Sequence, residues 1–204
     1  MGMLLLNCIC LQHFIVCFVL QLIWSAEELY EMNSKQLDLI CGSYDQVIKP
    51  YFRGVFSSDA YELYHSENLI PSKLNFYIVN SAPSSRRGEH WLLICKGNKS
   101  LFFDSFGKPP SFYNLGNFEH VNRIRLQGKS KICGLYCILL ANQIAQGKNI
   151  TSFINEKFSP TLLDVNDSQV IDWFYKQPYG YLLRKDCYTN NCISYEELMQ
   201  SYKE

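Results

Sequence analysis

Short apolar runs bounded by turn-forming residues predict several β-strands in this chain. They lie at residues 75–80, 90–96, 100–104 and 121–126. Gly97–Asn98 is a turn signal between the second and third of these runs, which predicts a β-hairpin. The loop at residues 81–88 is rich in Ser, Pro and Gly, as expected for a connection between strands.

Longer apolar patterns with helical spacing predict four helices. The first covers residues 34–40 behind a serine cap, and the most apolar one covers 133–145. Two shorter helices are expected at 150–158 and 168–175, with Asn166 or Asp167 capping the last. We therefore expect an α+β fold in which a small mixed sheet is flanked by helices.

The N-terminal 26 residues differ from the rest, because they contain no Asp, Glu, Lys or Arg. Residues 3–24 are almost wholly apolar, and about 20 apolar residues suffice to span a bilayer as a helix. This apolar N-terminal segment (1–26) is a membrane anchor, a signal peptide that lacks the usual basic start, or an extension. The protein is accordingly expected at a membrane through residues 3–24, or inside the cell if the segment is not an anchor.

Composition indicates one folded domain over residues 27–204. The chain has 204 residues, of which 48% are hydrophobic, enough for a sizeable core. Lys+Arg and Asp+Glu both number 19, so the formal net charge is zero. This balance excludes a polybasic nucleic-acid binder whose affinity comes from net charge.

The cysteines do not predict a disulfide framework or a metal centre. Their number is nine, which is odd, and their spacing is irregular. No CxxC pair and no paired-histidine motif accompanies Cys133 and Cys137, or Cys187 and Cys192, so we expect reduced thiols, no metal and no cofactor.

Cys133 and His90 are the first two candidates for catalysis. Cys133 opens the most apolar predicted helix, where the helix dipole and free backbone N–H groups favour a thiolate. His90 opens a strand after a polar loop, and its imidazole is suited to accept the thiol proton. Taken alone, each residue type is more often structural than catalytic.

Two further residues complete the constellation. Asp104 ends the strand that pairs with the one His90 begins, so its carboxylate can orient the imidazole. Gln127 lies six residues before Cys133, and its amide can donate to the oxyanion formed in acyl transfer. The order His, Asp, Gln, Cys predicts a cysteine hydrolase and excludes the papain order, in which Cys precedes His.

At these residues the sequence resembles the adenovirus-type cysteine endopeptidases (adenain-like), including proteases of Maverick/Polinton-type elements. The same clan contains the SUMO and ubiquitin-like-specific proteases. The resemblance covers residues 30–177. Its pieces are Tyr51-Phe-Arg-Gly54, Ile78-Val-Asn80, His90-Trp91, Phe103-Asp-Ser-Phe-Gly107, Gln127-Gly128, Ser130 and Cys133-Gly-Leu-Tyr-Cys137.

The resemblance implies a papain-like cysteine protease fold of the adenain/SUMO-protease type. It implies that Cys133 is the nucleophile, His90 the base, Asp104 the orienting acid and Gln127 the oxyanion donor. It also implies that Trp91 walls a narrow substrate slot, with Gly preferred just before the scissile bond. On residue type alone, Trp91 is at least as often a core residue.

The resemblance further implies a protein or polyprotein substrate, as in viral or transposon maturation, and an activating peptide or DNA as partner. Residues 108–126 hold no cysteine for a disulfide-linked activator, and zero net charge gives no support for DNA. The adenovirus enzymes have Glu at the orienting position, whereas Asp104 matches the SUMO-protease side of the clan. Two alternatives stay open: an isopeptidase that removes a ubiquitin-like modifier, and a non-catalytic, membrane-anchored interaction protein.

Overall fold

A five-stranded mixed sheet forms the centre of the molecule. A computed structural model of the chain describes residues 32–61 and 74–180. The strands follow one another across the sheet in chain order. They are β1 (Phe52–Phe56), β2 (Asn75–Asn80), β3 (Trp91–Lys96), β4 (Leu101–Phe103) and β5 (Glu119–His120).

The central strands form the predicted antiparallel hairpin. β2 pairs with β3 and β3 pairs with β4, both antiparallel, with Leu93 opposite Phe103. The outer strands are parallel to their neighbours, β1 to β2 and β5 to β4. The sheet is therefore mixed, as the sequence predicts.

Within residues 32–61 and 74–180, four helices of six residues or more flank the sheet. They are α1 (Ser34–Leu39), α2 (Cys133–Ala145), α3 (Ile150–Lys157) and α4 (Leu163–Tyr175). A π-helical turn (Ile40–Tyr44) extends α1, a 3₁₀ turn (Pro110–Tyr113) follows β4, and residues 58–61 are helical. The α+β class with a small mixed sheet flanked by helices is thus confirmed.

Both predicted helix caps are wrong. The cap of α1 is Asn33, whose side chain forms a capping box with Gln36, and not Ser34. Helix α4 begins at Leu163, so Asn166 and Asp167 lie within it and do not cap it.

The strand predicted at residues 121–126 is also wrong, because these residues form no strand and β5 lies just before them. The side chain of Asn122 adds hydrogen bonds to the backbone there. It donates to the carbonyl oxygens of Asp104 and Ile124 and accepts from the Asp104 N–H.

Both faces of the sheet are buried. Because successive strand residues point to opposite sides, the strands contribute to two separate apolar clusters. On one face, Phe76, Ile78, Leu93 and Phe103 join the main core with α2. On the other, a smaller apolar cluster contains Tyr61, Tyr77, Val79, Leu92, Ile94 and Phe102. The continuous burial of β2 and most of β3 explains why their sequences read as apolar runs.

The N-terminal segment 1–26 lies outside the described residues, as do Cys8, Cys10, Cys17, Cys187 and Cys192. Within residues 32–61 and 74–180, none of the helices is long and apolar enough to cross a membrane.

Candidate active site

His90 and Asp104 meet at one end of the β3–β4 hairpin. His90 directly precedes β3, and Asp104 directly follows β4. Because these strands are antiparallel, the start of one lies beside the end of the other. The imidazole Nε2 lies 2.5 Å from Asp104 Oδ1. The sheet register therefore brings this predicted pair together.

Donors on every side fix the carboxylate of Asp104, which is fully buried. Its Oδ1 also accepts from the Phe106 N–H at 2.8 Å. Its Oδ2 accepts from the Lys108 N–H and the Tyr113 hydroxyl, each at 2.9 Å. Burial acts to raise the pKa of Asp104, but the hydrogen bonds and the charge of His90 outweigh it and lower the pKa. The carboxylate therefore stays ionised beside the imidazole.

The His90 imidazole interacts with both Asp104 and Cys133. Burial favours its neutral form, but hydrogen bonds and charge interactions with these two residues raise the pKa of His90 to about 9. Since Asp104 binds Nε2, Nδ1 is the ring nitrogen left for the thiol. Phe106 stacks on the imidazole, with ring centroids 4.4 Å apart. The ring is thus held between a carboxylate, a thiol and an aromatic face.

Cys133 is the first residue of α2, as the sequence predicts. In this described helix, no side chain caps the N-terminus. The first backbone N–H groups of a helix lack intrahelical acceptors, so they point positive charge at the thiol. Only 4% of Cys133 is exposed.

Cys137, one turn later, has a different environment. It is completely buried, and burial, the largest cause, raises the pKa of its thiol. Cys41, Cys95, Cys133 and Cys137 are all free thiols. Among the described residues, His, Cys, Asp and Glu form no group of three that could hold a metal.

The Gln127 side chain is buried, and hydrogen bonds to its oxygen and to its nitrogen fix the direction of the amide. Oε1 accepts from the Ser105 hydroxyl at 2.6 Å, and Nε2 donates to the Ser130 carbonyl. The Ser105 carbonyl accepts from the N–H groups of Leu126 and Gln127. The amide nitrogen therefore faces the backbone that leads into Cys133.

Helix α4 holds the loop between Leu126 and Ser130. Asp167 accepts hydrogen bonds from the Gly128 N–H at 3.0 Å, the Ser130 hydroxyl at 2.5 Å and the Tyr136 hydroxyl at 3.0 Å. Asn166 donates to the Leu126 carbonyl at 3.0 Å. We call Asn166 and Asp167 the loop clamp.

Sequence reasoning assigned no such role to the clamp. The available signal was positional, because Asp167 precedes the buried Val170 and Phe174 at helical spacing. A carboxylate on the apolar face of a helix needs hydrogen-bond donors from a neighbouring segment.

Trp91 lies in the main core with 7% of its surface exposed. Its indole N–H donates to the Met32 carbonyl at 2.8 Å. A Cβ atom added to Gly134 would lie 3.5 Å from the Trp91 ring. Trp91 therefore packs beside the start of α2, and its part in a substrate slot stays a prediction.

His90, Asp104 and Cys133 thus interact in one place, and Gln127 lies on the loop that leads to the thiol. Their chemical roles stay predictions. No known family model matches this chain, and no curated protein matches it either. The arrangement contains a nucleophile, a base with its orienting acid, and an amide donor, which are the components of acyl transfer.

Proposed function

We propose that the protein is a cysteine-type endopeptidase with a papain-like fold of the adenain/SUMO-protease type. One observation carries the proposal: a single imidazole binds the buried Asp104 carboxylate and interacts with Cys133 at an uncapped helix N-terminus. A histidine with a purely structural role does not require a thiol at a helix N-terminus as its partner. A hydrolase that uses a thiolate requires both the base and a thiol in that position.

In the proposed reaction, His90 has taken the proton of the Cys133 thiol before substrate binds, so that an imidazolium lies beside a thiolate. The thiolate attacks the substrate carbonyl carbon, and the resulting oxyanion binds the Gln127 amide and a backbone N–H at the start of α2. His90 then gives its proton to the leaving amine, and a thioester forms. His90 next takes a proton from water, the hydroxide cleaves the thioester, and the thiolate is released.

We propose a protein or polyprotein substrate, in line with the resemblance to viral and transposon maturation proteases. Small residues, Gly above all, are expected immediately before the scissile bond if Trp91 narrows the substrate path. A peptide library with varied residues at that position tests this. A preference for bulky residues would contradict the proposed specificity.

An isopeptidase acting on a ubiquitin-like modifier is the second candidate. It shares the chemistry, and the observation that favours it is the Asp, rather than Glu, that binds His90. Comparing hydrolysis of short peptides with cleavage of a folded ubiquitin-like protein conjugated to lysine distinguishes the two. Cleavage of the conjugate alone would favour the isopeptidase.

A thiol-directed peptide probe tests the chemistry itself. We expect the wild-type protein to be labelled at Cys133 and to hydrolyse peptides, and Cys133→Ala to lose both properties while keeping its fold. Cys137→Ala is the matched control, because it deletes a thiol one turn along the same helix and should keep both. A folded wild-type protein that neither labels nor hydrolyses would support a non-catalytic interaction protein.

A further inference from the structure

Ser105 contacts the two segments of the site from a single position in the chain. It directly follows Asp104, which binds His90, and it is itself fully buried. Its hydroxyl donates to Gln127 Oε1 at 2.6 Å. Its carbonyl oxygen accepts from the Leu126 N–H at 2.9 Å and from the Gln127 N–H at 3.1 Å. Ser105 therefore fixes both the backbone and the side chain of Gln127.

The direction in which the Gln127 amide points matters for the chemistry. A glutamine amide has an acceptor oxygen at one end and a nitrogen with two hydrogens at the other. An oxyanion needs the nitrogen end, and the oxygen end would repel it. Because Ser105 binds Oε1, the nitrogen is turned towards the Ser130 carbonyl. One of its hydrogens binds that carbonyl, and the second has no hydrogen-bond partner within residues 32–61 and 74–180.

We propose that Ser105 is a positioning residue that sets the polarity of the Gln127 amide for oxyanion binding. This inference rests on the proposed hydrolase function. Ser105 is fully buried and acts through Gln127. Asp104 and Ser105, consecutive in the chain, thus orient the base and the oxyanion donor respectively.

A double-mutant cycle with Ser105→Ala and Gln127→Ala tests the proposal on peptide hydrolysis. Ser105→Ala should lower kcat about tenfold or more with little change in KM, because the oxyanion exists only after attack. Gln127→Ala should lower kcat by about 10²–10³. The double variant should be no slower than Gln127→Ala, because Ser105 has no amide left to orient.

The controls separate positioning from folding. Rates are taken per titrated Cys133 thiol, so that unfolded protein is not counted. Ser152→Ala, which deletes an exposed hydroxyl on α3, should match the wild type. If Ser105→Ala does not fold, Ser105→Cys takes its place, since it has similar volume and a weaker donor, and it should show a smaller loss of kcat.

Two results would overturn the inference. One is an unchanged kcat in Ser105→Ala, and the other is a full additive loss in the double variant. Both require a wild-type activity that Cys133→Ala abolishes. Failure of the proposed function is therefore recognised separately, as the absence of any Cys133-dependent hydrolysis.

Discussion

The carboxylate of Asp167 accepts a hydrogen bond from the Ser130 hydroxyl at 2.5 Å, although 37 residues separate the two in the chain. The same carboxylate accepts from the Gly128 N–H. A Cβ atom on Gly128 would lie 2.8 Å from this carboxylate, so only glycine allows the approach without displacing it. Helix α4 thereby holds the loop that carries Gln127.

Asp167→Asn should weaken both the fold and turnover. An amide keeps one acceptor oxygen, but its hydrogen bonds with Gly128, Ser130 and Tyr136 are no longer made to a carboxylate. Because hydrogen bonds to charged groups contribute about 1.5–3 kcal/mol and neutral ones about 0.5–1.5 kcal/mol, we expect a loss of about 1 kcal/mol or more of unfolding free energy. We also expect a lower kcat per titrated thiol, because the Gln127 loop is no longer held.

Asp172→Asn is the control for this loss, since Asp172 lies on the same helix, is exposed and binds Lys176 at the surface. Urea denaturation and steady-state kinetics measure the two effects. Equal behaviour of the two variants would show that the loop clamp has no such role.

The alkaline limit of activity should reflect His90. Its pKa is raised from 6.5 to about 9, so imidazolium persists up to that pH and is lost above it. We expect kcat/KM to fall as the pH rises through about 9. Asp104→Asn removes the hydrogen bond and negative charge that raise this pKa, so the fall should move to lower pH. Asp172→Asn should leave the pH of this fall unchanged. If Asp104→Asn also left it unchanged, the fall could not be assigned to His90.

The same pKa difference should affect stability. Because the pKa of His90 is higher in the folded than in the unfolded protein, protonation of His90 stabilises the fold. This contribution to the unfolding free energy is complete below about pH 6.5 and is lost as the pH rises through about 9. The difference in unfolding free energy between the wild type and His90→Ala should therefore narrow over this interval. Denaturation series at pH 6, 7.5 and 9.5 would measure it; a constant difference would argue against a charged pair.

Gln127→Glu should be at least as harmful to kcat as Gln127→Ala. The new carboxylate can still accept from Ser105, but its other oxygen takes the place of Nε2 and repels the developing oxyanion. Gln169→Glu, an exposed change on α4, is the charge-matched control. Near-normal turnover per titrated thiol in Gln127→Glu would exclude the oxyanion role and leave Gln127 as a loop-stabilising residue.

Gly107→Ala should destabilise the turn after β4 by about 1–2 kcal/mol or more. Gly107 has a φ of +72°, and an added Cβ would lie 2.6 Å from the carbonyl carbon of Ile124. Gly116→Ala is the control, because nothing lies within 4 Å of its Cβ position. Equal melting temperatures for the two variants would refute this explanation of the Gly107 position.

The sequence predicted the elements whose patterns are local. Helix α2 has its predicted bounds, and β2 and the β3–β4 hairpin lie where turn signals and apolar runs placed them. It did not predict β1, because every residue of that strand is half-buried and the strand shows no alternation. The two-residue β5 is too short for any periodicity.

The candidate site was likewise predictable only where its contacts are local. Proximity of His90 and Asp104 follows from hairpin geometry alone. The contacts of Ser105 with Gln127 and of Asp167 with Gly128 span 22 and 39 residues, and they depend on how α4 and the loop dock on the sheet. No local pattern encodes that docking.

The hairpin also bears on the order in which the site assembles during folding. His90 and Asp104 are 14 residues apart, so their pairing closes a short loop once β3 and β4 align. Cys133 joins them only when α2 packs on the sheet. The loop that carries Gln127 is held in place only when α4 packs against it. Longer loops cost more entropy to close. A newly synthesised chain would thus bring His90 and Asp104 together before Cys133 joins them, and the proposed cleavage activity would arise only once α2 and α4 have packed.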